Sequence, residues 1–179
     1  RRVSASRWTV ALLPDEPGGL VATRTAGATR FAATLSWRRP EEVPPHPTLP
    51  DWAGVGTARI SVAETEDPGS TGRRIVGEIR ALTQQELGSA LDVVVRRVTT
   101  AAALTEAVLE VEAVRWAIPE AASARALQVL ARDLWEAGFQ VRFGPSWTPA
   151  PGADVCVGVG GANRELKDYL SAHPSWRIA

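Results

Sequence analysis

Five of the chain's 13 prolines fall at positions 40, 44, 45, 47 and 50, and no regular element can run through them. Proline holds φ near −65° and carries no amide proton, so such a stretch neither continues a helix nor donates to a sheet ladder. An extended, polyproline-like connector is therefore expected over 39–52. A second is expected at 145–152, where Pro145, Pro149 and Pro151 recur. The folded elements must come from what lies between and around these two connectors.

Before the first connector, residues 8–13, 19–24 and 29–37 are short β-rich runs separated by proline and glycine turn material. In the third run Phe31, Ala33, Leu35 and Trp37 fall on one face and Arg30, Ala32, Thr34 and Ser36 on the other, the alternation of a half-buried strand. A fourth strand is expected over 56–63, followed by turn acids Glu64, Glu66 and Asp67. Together these strands read as an antiparallel meander. Ser70 or Thr71 then caps an expected helix running to Leu87, with Ile75, Ile79 and Leu82 along one side and Gly88 as its stop. The β-branched run from Leu91 to Val98 reads as a further strand.

The last third has a clearer rhythm. Residues 108–118 alternate as a strand, and Pro119 suits the first turn of a helix. Across 120–137 Ala126, Leu127, Leu130 and Leu134 recur at helical spacing, and Gly138 ends the pattern. A strand over 139–143 would complete a parallel β-α-β unit with the 108–118 strand. A buried strand over 154–159, a glycine break and a short helix over 162–172 close the sequence. The fold class expected is α/β or α+β, an N-terminal antiparallel meander with a packed helix continuing into a C-terminal β-α-β-β-α half, Rossmann-like or ferredoxin-like. The expected organisation is two subdomains, 1–100 and 101–179, or a single mixed-sheet domain.

Composition narrows the function classes. Apolar residues make up 45% and charged residues 22%, which supports a packed core. Twenty Lys and Arg balance twenty Asp and Glu, so no summed field draws the chain to nucleic acid, anionic lipid or an acidic substrate. No run approaches eighteen apolar residues, so no membrane insertion is expected and a cytoplasmic location is. The single cysteine, Cys156, cannot form an internal disulfide, and with only His46 and His173 beside it no metal site and no cofactor are expected. Methionine is absent, as expected of residues cut from a longer polypeptide.

Two glycine turns stand out as tentative anion sites. Gly158, Gly160, Gly161 and Asn163 lie where a strand passes through a tight turn into a helix N-terminus, an arrangement that aims amide donors at an anion. Gly69, Ser70, Gly72 and Arg73 form the second, between an expected strand and an expected helix. Its strand, glycine turn, helix, strand order resembles the acyl-CoA pyrophosphate loop of GNAT-type acetyltransferases, although Gly69 to Arg74 do not supply that family's Arg or Gln, two spacers and Gly-x-Gly/Ala. The segment from Trp116 to Pro145, with its ending Arg132, Ala137, Gly138, Val141, Gly144, Pro145, resembles a stretch of EccE-type secretion components and carries no function with it.

Other residues have plainer readings. Glu110 and Glu112 project from one face of a strand and could flank a ligand, or form a wet face partnered by Arg96 or Arg97. Cys156, between two valines, reads as an inert core thiol. Trp37, Trp52, Trp147 and Trp176 lie near loops and element ends and form the expected interaction surface. The function these features point to is a non-enzymatic protein-interaction or regulatory module, with a protein partner or flanking domains. The alternative is a nucleotide- or CoA-like binding domain with transferase or sensor activity at a glycine turn.

Overall fold

The computed structural model describes residues 7–44, 56–66, 71–160 and 164–179. In chain order the strands are β1 (Trp8–Leu13), β2 (Leu20–Thr25), β3 (Gly27–Ser36), β4 (Arg59–Glu66), β5 (Gly72–Ala81), β6 (Val108–Ala117), β7 (Glu120–Ala121), β8 (Arg142–Ser146), β9 (Val155–Gly158) and β10 (Trp176–Ile178). The helices are α1 (Gln84–Leu104), α2 (Ala124–Glu136) and α3 (Arg164–Ala172). The architecture is α+β, and the chain divides into two units. Gly27–Ile118 is inserted whole into the other unit, which takes the residues up to Ala26 and resumes at Pro119. The break expected near residue 100 lies within α1. No described helix is long and apolar enough to cross a membrane.

The inserted unit is a four-stranded antiparallel sheet in the order β4-β5-β3-β6 with α1 packed on one face. This is the ferredoxin-like strand order, and it arises before residue 118 rather than in the C-terminal half. Phe31, Ala33, Leu35 and Trp37 are buried, as their alternation predicts, and they meet Ile75, Ile79, Leu87, Val94 and Val98 in one core. Two expectations are corrected here. The segment expected as a helix from Ser70 or Thr71 to Leu87 contains strand β5, and the strand expected over 91–98 lies inside α1. Ile75 and Ile79 are four apart, and four residues return to the same face in a strand as well as in a helix, so that spacing does not separate the two. Helix α1 is set by its cap: Thr83 Oγ1 accepts from the Glu86 amide at 3.2 Å, and the Leu87, Ala90, Val94, Val98, Ala101 stripe is buried behind it. That helical burial outweighs the β-propensity of its three consecutive valines.

The outer unit has a mixed sheet in the order β10-β1-β9-β2-β7, with β8 also paired to β2. β1 runs parallel to both β10 and β9, and β2 runs antiparallel to β9 and parallel to β8. Its core joins Val10, Val21, Val155 and Val157 to Leu130 and Leu134 of α2 and Leu166 and Leu170 of α3. The expected meander is corrected in turn: β9 lies between β1 and β2, and β3 belongs to the other sheet. The expected β-α-β pairing of 108–118 with 139–143 is also corrected, because β6 pairs β3 and β8 pairs β2. The segment from Trp116 to Pro145 therefore straddles two units and is not a single motif.

Candidate functional site

The open face of the inserted sheet, opposite α1, carries the most organised polar cluster among the described residues. Arg30 on β3 stands directly across from Glu78 on β5, and its Nε donates to Glu78 Oε2 at 3.2 Å. Arg80 Nε donates to the other carboxylate oxygen at 2.7 Å. A register shift between β3 and β6 makes Trp116 an extra residue on its strand, and its indole Nε1 donates to Glu78 Oε2 at 3.1 Å. The Arg30 guanidinium lies 5.2 Å from the Trp116 ring centre and is 70% exposed. Burial pulls the Glu78 carboxyl upward, but the hydrogen bonds from Arg80, Arg30 and Trp116 and the Arg80 charge outweigh it, so its pKa lies below the ordinary carboxylate value. The result is a cation stacked on an aromatic ring and held from below by a carboxylate, suited to recognising an anionic or planar group.

At the other end of the same unit, Ser36, Trp37, Arg38, Glu42, Leu104, Thr105, Glu106 and Val108 line a cleft of about 710 Å³ beside the C-terminus of α1. Trp37 Nε1 donates to the Thr105 carbonyl at 2.9 Å and so serves the helix end. No nucleophile and base are paired in the cleft lining or in the Glu78 cluster.

The glycine turn after β9 is packed against the β1–β2 loop. The Val159 and Gly160 amides donate to the Leu13 and Glu16 carbonyls, and the Gly19 amide donates to the Gly158 carbonyl. A Cβ on Gly158 would stand 2.2 Å from the Pro17 carbonyl oxygen, and one on Gly160 2.7 Å from the Gly18 nitrogen. These glycines permit backbone to touch backbone, and the amides of residues 159 and 160 are engaged within the fold. Gly161 and Asn163 lie outside the described residues, as do Gly69 and Ser70. Gly72 and Arg73 open strand β5, so the helix N-terminus expected beside them is absent, and with it the element order of the acetyltransferase loop. Arg73 is buried, and its guanidinium donates to the Pro44 carbonyl.

Of the expected interaction tryptophans, Trp37 and Trp176 are buried and Trp147 is half-buried, while Trp52 lies outside the described residues. Trp176 Nε1 donates to Asp133 Oδ2 at 3.1 Å, and Asp133 is itself buried on α2. Among the described residues the exposed tryptophans are Trp116 and Trp135, neither singled out by its flanks in sequence. Arg96 and Arg97 lie on α1 and are not neighbours of Glu110 and Glu112 in the sheet; across from those acids stand Thr34 and Ala32. Cys156 is buried on β9, where desolvation and then the Glu120 charge push its thiol up to about 11. Tyr169 is pushed up by burial and by the Asp133 and Glu136 charges, and its hydroxyl donates to the Asp133 carbonyl.

No protein-family model matches the chain, and no curated protein matches it. Solved structures do. An amidase of the hydantoinase/carbamoylase family from Burkholderia multivorans is 13% identical over 79% of this chain and 42% of its own, with a TM-score of 0.57. Aminopeptidase PepT from Bacillus cereus is 16% identical over 86% of this chain and 49% of its own, with a TM-score of 0.58. A Bacillus subtilis protein described as a dinuclear metal-binding peptidase of the M20 family is 14% identical over 84% and 48%, with a TM-score of 0.55. The chain thus spans less than half the length of these proteins, and at such identities the likeness is one of fold. It corrects the expectation of a non-enzymatic interaction or regulatory module, because the solved structures that share this fold are parts of amidases and peptidases.

The described residues do not fit a metal centre of the kind the Bacillus subtilis peptidase is said to hold. No three His, Cys, Asp or Glu side chains among them come together in a way that could bind an ion. His173 and Asp133 approach to 3.9 Å, but the same aspartate serves Trp176 and Arg132. His46 lies outside the described residues.

Proposed function

We propose that the chain is part of an amide-bond hydrolase, contributing its scaffold and an inserted accessory domain rather than its metal ligands. The observation that carries this reading is the insertion of one complete α+β unit into a second, discontinuous unit, matched across 79–86% of the chain by amidases and peptidases. Amide hydrolysis releases a carboxylate and an amine, and acyl-amino-acid and peptide substrates commonly carry a further carboxylate. The Arg30 guanidinium, oriented by Glu78 and stacked on Trp116, is the group in this chain best placed to recognise one.

The test is a titration of the chain with N-carbamoyl amino acids, dipeptides and their product amino acids, followed through the Trp116 indole N–H resonance. Saturable shifts at Trp116, abolished by Arg30→Ala, are expected from carboxylate-bearing ligands. The reading fails if none of these compounds perturbs the indole. Turnover assays with added zinc or manganese complete the test, and turnover by this chain alone would show that it supplies more of the centre than a scaffold.

A further inference from the structure

Helix α1 ends in a way that its own stability does not favour. Thr105 closes it, Glu106 follows with a φ of 54°, and the amides of Glu106 and Ala107 donate back to the carbonyls of Ala103 and Ala102. That left-handed turn is usually made by glycine, because a side chain there crowds the backbone. Among the described residues Glu106 is the only non-glycine residue with a positive φ. It is also an acid at the negative end of the helix, where a cation is the favoured neighbour. Glycine would serve the turn better on both counts.

The surroundings of Glu106 give its carboxylate a use. It lines the cleft of about 710 Å³ together with Arg38, Glu42, Leu104 and Val108, and that volume is typical of a small-molecule site. Trp37 makes the cleft a fixed one: its side chain is buried, its indole donates to the Thr105 carbonyl at 2.9 Å, and its amide donates to the Thr71 carbonyl at 2.8 Å. Leu104 is 81% exposed and Val108 63%, so the apolar wall is left uncovered. No ion pair among the described residues engages Arg38, Glu42 or Glu106. A purely apolar ligand would desolvate these charges without pairing them, and a simple anion would meet two carboxylates and the helix end. A simple cation would leave Arg38 unanswered.

We propose that this cleft binds an aliphatic zwitterion, either a free α-amino acid or a short peptide with such a residue at its amino end. The ammonium is held by Glu42 and Glu106 at the end of α1, the carboxylate by Arg38, and the aliphatic side chain by Leu104 and Val108. Retaining Glu106 where glycine suits the backbone is then the cost of the ammonium contact.

The inference goes beyond the hydrolase reading and does not depend on it. The test is a titration of the whole chain with L-leucine, leucylglycine, isoamylamine, isocaproate and glycine, followed through the Trp37 indole N–H resonance. Saturable shifts are expected from leucine and leucylglycine. Binding should weaken roughly tenfold or more in isocaproate, isoamylamine and glycine, which lack the ammonium, the carboxylate and the aliphatic side chain respectively. Leucine binding more tightly than leucylglycine would mark a free amino acid as the ligand, and the reverse order a peptide end; both support the site. Glu106→Gly is expected to raise the thermal midpoint of the empty chain, by relieving the turn, while weakening leucine binding roughly tenfold. Glu106→Gln, which keeps the turn and removes the charge, should bind as weakly. The proposal is overturned if neither leucine nor leucylglycine saturates the shift, if any of the three stripped probes binds as tightly as leucine, or if either Glu106 variant binds like the unaltered chain. Arg30→Ala separates the two readings: the Trp37 response is expected to survive it. A chain in which Trp37 responds and Trp116 does not refutes only the hydrolase reading, and the reverse refutes only the cleft.

Discussion

Asp133 and Glu78 do the same chemistry in two different places. Each carboxylate accepts an indole N–H at 3.1 Å together with arginine N–H groups, Asp133 from Trp176 and Arg132, Glu78 from Trp116 and from both Arg30 and Arg80. In the outer unit the acceptor and the indole are both buried, so the pair ties α2 to β10 and makes Trp176 part of the core. On the open face of the inserted sheet the same pairing leaves the tryptophan 37% exposed and an arginine stacked on it. One tryptophan is thereby a structural anchor and the other a presented surface, and only the surroundings of the hydrogen bond separate the two roles.

The comparison breaks most readily at Asp133. Asp133→Ala leaves the buried Trp176 indole N–H without its acceptor, and a loss of about 3 kcal/mol is expected in denaturant unfolding. If the loss were no larger than that of a surface change, the anchoring role would be wrong. Next comes the residue beside Glu78. A Cβ on Gly77 would stand 2.5 Å from the Phe31 ring and 2.6 Å from the Ser61 carbonyl oxygen, so Gly77→Ala should cost about 2 kcal/mol by forcing the β3–β5–β4 packing apart.

Glu78→Gln is expected to cost less than about 1 kcal/mol, because the cluster it holds faces solvent, while still altering Trp116 fluorescence. A cost equal to that of Asp133→Ala would erase the distinction between the two carboxylates. The smallest effect is in pH. Because the folded pKa of Glu78 is depressed, its contribution is complete above the unfolded carboxylate pKa and is lost as pH falls through the folded value. The acid limb of the stability curve should therefore be shallower in Glu78→Gln than in the unaltered chain.

Local patterns of one kind are legible in the sequence. The alternation of Phe31, Ala33 and Leu35 marks the buried face of β3, and Ala126, Leu130 and Leu134 mark the buried stripe of α2, because each burial repeats at the period of its own backbone. The Thr83 and Glu86 spacing is a helix start that outranks the β-branched run after it, and it sets the helix at Gln84–Leu104 rather than at 70–87. The candidate site is less legible. Glu78, Arg30, Arg80 and Trp116 come from three strands, and nothing local links residue 30 to residue 78 or 116.

By itself, then, the sequence determined the elements whose hydrophobic repeat has a single interpretation and a balance of charge without a summed field; of the two proline connectors, most of the first lies outside the described residues, and Pro145 and Ser146 of the second belong to strand β8. Tertiary structure alone decided that β9 slots between β1 and β2, that Gly27–Ile118 is an insert, which tryptophans are buried and which indole a carboxylate presents to water. The reason is physical: local pattern reports which face of a segment avoids water, whereas strand partners and the setting of a hydrogen bond depend on which distant segment supplies the other half.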